Sequence, residues 1–136
     1  MTRVEIEAEI LRLKAELTDY KVKKKFADSE LNKMEDVLGK IRKKEREIEE
    51  GLYESLRKIE QKLERVNPKS KFRVNYLKDT KSHLFGSKSS AALQETRDAQ
   101  SRVKKKIFAQ EDKIEGYKAK IKKLEARIEE LKSQRS

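Results

Sequence analysis

An all-α chain, folded as an elongated antiparallel helical hairpin of coiled-coil character, is expected on three grounds. The 136 residues are 45% charged and 35% hydrophobic, with 4 Phe, 4 Tyr and no Trp, too few aromatics for the usual compact globule. The apolar residues are Leu, Ile and Val at regular spacing, which separates this composition from that of a disordered charged tail. Finally, they form two seams with steps of three and four, separated by a segment that holds the only proline.

The first seam runs Ile6, Ile10, Leu13, Leu17, Tyr20, Ala27, Leu31, Met34, Leu38, Ile41, Ile48 and Leu52, with Lys24 and Glu45 filling two of its positions. It continues through Leu56, Ile59, Leu63 and Val66. The step from Leu52 to Leu56 repeats a four where a three is due, a stutter that predicts local unwinding beside Gly51. Asn67-Pro68 ends this helix, because the residue before proline is driven out of the α region. Proline itself suits the first turn of a following helix, with Asn67 as its cap. The expected organisation is a single hairpin domain over 1–136, with a helix over about 3–66, a connecting segment over 67–88 and a helix over about 89–132.

The connecting segment is less periodic. Phe72, Tyr76 and Leu77 suggest one apolar stripe of a shorter, irregular or helical element around 68–86, and Gly86 with the serines that follow marks a break and a cap. The second seam reads Leu93, Val103, Ile107, Ile114, Tyr117, Ile121, Leu124, Ile128 and Leu131, with Thr96, Gln100 and Gln110 as polar members.

A two-in-seven apolar stripe must bury itself against another helix, and the nearest partner is the other half of the same chain. With equal rise per residue in both legs, a bend near Asn67 pairs positions whose numbers sum to about 135. Tyr20 then meets Tyr117, Tyr53 meets Phe85 and Phe26 meets Phe108. A long loop over 67–87 separates all three pairs.

Charge is unevenly distributed. Residues 1–66 carry 17 basic and 16 acidic side chains, residues 67–136 carry 19 and 9, and the whole has a net charge of +11. The return leg is the basic one, and its densest run is Arg102, Lys104, Lys105 and Lys106. Such a run attracts phosphate, an anionic lipid surface or an acidic protein, or else it solubilises a long helix.

Little in the sequence points to catalysis. Without cysteine there is no disulfide framework, thiolate zinc site or cysteine nucleophile, and His83 is the only histidine. No metal-spaced cluster, phosphate loop or nucleophile elbow is present, so neither an enzyme nor a bound cofactor is expected. The basic stretches 21–25 and 40–46 are followed closely by acids, and the aromatics keep seam spacing instead of forming a stacking surface. Specific nucleic-acid binding is therefore not expected. No uncharged run exceeds six residues, which predicts neither a signal peptide nor a transmembrane segment.

Two clusters stand apart from the heptads. Leu84-Phe85-Gly86 sits at the break between helical segments, and Phe108 and Asp112, four residues apart, share a face of the last helix beside the seam residue Ile107. Read alone, Phe85 packs under the turn and Phe108 broadens the core. Together with the charged leading helix and the closing coiled-coil helix, they resemble the WXG-type (ESAT-six-like) small helical-hairpin proteins of type VII secretion in Gram-positive bacteria. The likeness is nearest to the auxiliary targeting proteins encoded with LXG toxins. Phe85 and Gly86 stand for the turn motif of that family, and Phe108 and Asp112 for its Phe-x-x-x-Asp export motif.

The resemblance implies a noncatalytic adaptor that lies beside the N-terminal helical domain of an LXG toxin, alone or with a second small helical protein. It implies a cytoplasmic protein before export, secreted with its toxin or left behind. The other reading is a coiled-coil scaffold, self-associating or not, whose basic leg contacts nucleic acid or anionic membrane.

Overall fold

The computed structural model describes residues 1–67 and 69–135. The chain is an all-α helical hairpin, with α1 spanning Arg3–Lys62, α2 spanning Lys71–Leu84 and α3 spanning Ser87–Arg135. In each compact unit a stretch of α1 packs against a later part of the chain. Every residue of the two expected seams is at least half-buried, including the polar members Lys24, Glu45, Thr96, Gln100 and Gln110. The chain divides into two compact units, one formed by 1–36 with 105–136 and the other by 37–104.

In the first unit, Ile6, Ile10 and Leu13 of α1 pack with Leu124, Ile128 and Leu131 of α3, and Leu17 and Tyr20 extend the cluster. Leu131 is fully buried. Burial of each such side chain contributes about 1.5–3 kcal/mol, so this cluster outweighs the exposed ion pairs around it, worth about 0–1 kcal/mol apiece. The residue numbers of facing positions rise on one helix as they fall on the other, the mark of an antiparallel pair. Tyr20 and Tyr117 meet with ring centroids 6.2 Å apart. Further along, Ala27 is buried, and the Gln110 side-chain amide donates to its carbonyl oxygen at 2.9 Å. Between the helices Lys21 and Lys120 lie near Glu125 and Glu16, at 3.7 and 3.9 Å.

The second unit has a thinner core, in which Leu38 and Leu63 are the buried apolar residues among those described. Its centre is polar: the Gln100 amide donates to Glu45 at 2.9 Å, and Arg97 lies 3.5 Å from both Glu45 and Glu49. Polar groups at seam positions weaken a coiled coil and fix its register. α1 remains α-helical through Gly51, so the stutter does not break it.

α1 ends at Lys62, before the expected Val66. Its last turn tightens: the Leu63 amide is shared between the Ile59 and Glu60 carbonyls, and Glu64 and Val66 donate three residues back. Asn67 caps no helix. Its side-chain oxygen accepts from the Lys69 amide and its carbonyl from Ser70, forming a turn, and α2 starts after Ser70. The expected helix-initiating role of Pro68 lies outside the described residues.

The connecting segment is mostly helical, and α3 starts at Ser87 and not at Ser89. The expected α2 stripe is corrected. Phe72 and Tyr76 are exposed and stack on each other at 5.8 Å, whereas Arg73, Leu77, Thr80 and Leu84 form the half-buried face. Arg73 belongs to that face because its guanidinium donates to the Val66 carbonyl, at 2.8 Å, in the turn after α1.

Candidate docking surface

Only Phe85 and Gly86 separate α2 from α3. The Phe85 amide donates to Lys81 and closes α2, and the Gly86 carbonyl accepts from Ser90 to open α3. The Phe85 ring is 5.6 Å from that of Tyr53, which holds the break against α1. A Cβ built on Gly86 collides with the Ser82 carbonyl oxygen, although the backbone there has no positive φ. Glycine is thus needed for clearance. This geometry gives Phe85 and Gly86 a packing role that is complete within the second unit.

Phe108 and Asp112 have a different environment. Ile107 is buried and Gln110 reaches α1, so the helix turns Phe108 away from the seam, and it remains 63% exposed. Asp112 is exposed one turn further on, and among the described residues it pairs with no cation. Phe26, the expected ring partner of Phe108, is 71% exposed and makes no ring contact with it. The reason is local: Ala27 takes the seam position next to Phe26, as Ile107 does next to Phe108. Beside the Gln110–Ala27 crossing, an open groove is lined by Lys23, Phe26, Glu30, Gln110, Lys113 and Tyr117. An exposed aromatic ring with a free carboxylate one turn away suits a partner helix that offers an apolar patch and a cation.

Arg102 and Lys104 of the second unit, and Lys105 and Lys106 of the first, are each exposed on α3 and unpaired among the described residues. His83 is exposed in the last turn of α2. No cluster of His, Asp or Glu able to hold a metal occurs among the described residues, and none of their helices is long and apolar enough to cross a membrane. One carboxylate departs from ordinary behaviour. Glu9 accepts from Arg12 at 2.5 and 3.0 Å, and this hydrogen bond holds its pKa below the usual carboxylate value while raising that of Arg12.

Sequence reasoning missed a set of apolar residues on the outside of α1, where Val4, Leu11 and Val22 are exposed. Their signal was a second run at steps of three and four, hidden because alanine and threonine fill half of it. The chain matches no family model, no curated protein and no solved structure.

Proposed function

We propose that the protein is a noncatalytic helical-hairpin adaptor that binds the N-terminal helical domain of an LXG-type toxin and contributes to its type VII export. The observation that carries this reading is the exposed pair Phe108 and Asp112, which the hairpin does not use for its own packing. An exposed aromatic that becomes buried on docking, beside a charge, is the kind of anchor that helix-in-groove recognition uses. The unpaired cations of the return leg favour an acidic partner and speed the encounter. In this reading the hairpin meets its toxin in the cytoplasm, with or without a second small helical protein.

Co-expression with the toxin domain, followed by pull-down, tests the proposal. A stoichiometric complex that survives about 0.5 M salt, where exposed charges are screened within a few ångströms, supports it. Phe108→Ala and Asp112→Ala should keep full helicity yet impair export of the toxin, and unaffected export rejects their role. The exposed run Arg102, Lys104, Lys105 and Lys106 favours the second reading, a scaffold contacting nucleic acid or anionic membrane. Binding only to DNA or acidic vesicles, abolished by salt, would select it.

A further inference from the structure

Val4, Ala8, Leu11, Ala15, Thr18 and Val22 follow one another on α1 at steps of four and three, and all six are exposed. At 100° per residue they form one stripe, turned well away from the Ile6–Ile10–Leu13 seam that faces α3. Val4 is 77% exposed and Leu11 68%. The next positions at the same spacing are Lys25, Ser29 and Asn32, so the apolar run stops after Val22. Such a stripe is a coiled-coil face without a partner in the molecule, roughly 27 Å long at the α-helical rise.

The flanking charges indicate what covers it. With Ala8, Ala15 and Val22 at the a positions and Val4, Leu11 and Thr18 at d, the flanks are Glu7, Lys14 and Lys21 on one side and Glu5, Arg12 and Asp19 on the other. In a parallel, in-register pair each residue before an a position meets the partner residue five further on. Glu7 then faces Arg12 of the second copy and Lys14 faces its Asp19, each twice by symmetry, with no like-charge pair. An antiparallel pair of the same stripes sets Lys14 against Lys14, Arg12 against Arg12 and Glu5 against Asp19, leaving Glu7 with Lys21 as the favourable pairing. Arg12 also binds Glu9 and Glu16 of its own helix, and its five donors leave room for a further carboxylate.

We infer that the outer face of α1 over residues 4–22 pairs with the same face of a second copy, parallel and in register. The contact is short and rich in alanine, at the small end of protein interfaces, below about 1,200 Å² in total. The dimer is therefore reversible and concentration-dependent. It leaves Phe108 and Asp112 on α3 untouched and is independent of any toxin partner.

The test uses the purified full-length chain alone. Sedimentation equilibrium should show a monomer–dimer exchange at high micromolar concentration, and Leu11→Lys should weaken it by about tenfold or more. Since the chain has no cysteine, Val4→Cys and Val22→Cys each place one thiol at an end of the stripe. In a parallel dimer each variant cross-links to itself on mild oxidation. In an antiparallel one, only a mixture of the two variants does so. Lys14→Glu should weaken association, and Asp19→Lys added to it should restore it. Circular dichroism checks that each variant keeps native helicity, which substitutions on this exposed face leave intact. A chain that stays monomeric to millimolar concentration, or cross-linking confined to the mixed pair, overturns the inference.

Discussion

Gln110 reaches from α3 to the Ala27 carbonyl oxygen of α1 at 2.9 Å, a side-chain donor bonded to a backbone group of the facing helix. The contact requires the helices to be close, and Ala27, buried and small, makes that approach possible. Replacing Gln110 with Ala is expected to cost about 1 kcal/mol, the net worth of one neutral hydrogen bond. Ala27→Leu is expected to cost about 1–3 kcal/mol through overpacking. Chemical denaturation of the two variants and of their double mutant measures both costs and their coupling.

Two glycines should respond in opposite senses. Nothing lies within 4 Å of a Cβ added at Gly51, an interior position of α1. Gly51→Ala is therefore expected to stabilise the protein by about 0.5–1 kcal/mol through helix propensity. Gly86→Ala meets the Ser82 carbonyl, a backbone atom that cannot swing aside, and is expected to destabilise by about 1–3 kcal/mol. Thermal melts monitored by circular dichroism give both signs.

Leu131 and Leu11 are chemically alike and placed in opposite surroundings. Leu131→Ala empties a fully buried site, and a loss of about 2–5 kcal/mol is expected. Leu11→Ala removes an exposed side chain, so in dilute solution stability should change by less than about 0.5 kcal/mol. Equal effects in urea titrations at low protein concentration would contradict the placement of the seam.

Glu9 supplies a pH dependence with a defined sign. Its pKa is lowered in the folded chain by the Arg12 hydrogen bond, so on acidification the unfolded chain takes up this proton first. The contribution is fully present above the ordinary carboxylate pKa and is lost as pH falls through the depressed folded value. Arg12 is exposed and Glu9 only half-buried, so solvent screening keeps the effect small. Comparing the melting temperature of the native chain and of Arg12→Gln across an acid titration should show a gap that closes at low pH.

The seams were legible because each apolar position repeats a period that a helix must bury. The register could be read from residue numbers alone: the Tyr20–Tyr117 and Tyr53–Phe85 contacts both follow from a bend near Asn67. Phe26 and Phe108 broke that arithmetic because each lies next to a seam residue, and ring size says nothing of which neighbour faces inward. In α2 the aromatics suggested the wrong stripe for a related reason. Arg73 is drawn to the half-buried face by a carbonyl in the preceding turn, a contact invisible to a reading of hydropathy. The outer stripe of α1 was written in the same period as the seam but in smaller side chains, which carry less weight in such a reading.

The two-residue break at Phe85–Gly86 has an electrostatic side. α3 carries no acidic residue in its first turn, where helices commonly place one to offset the partial positive charge of their free amides. The carboxyl-terminal carbonyls of α2 end beside that turn, and the Ser90 hydroxyl lies 3.5 Å from the Phe85 carbonyl oxygen. One helix pole thus neutralises the next, and the interruption exposes neither as an isolated charge.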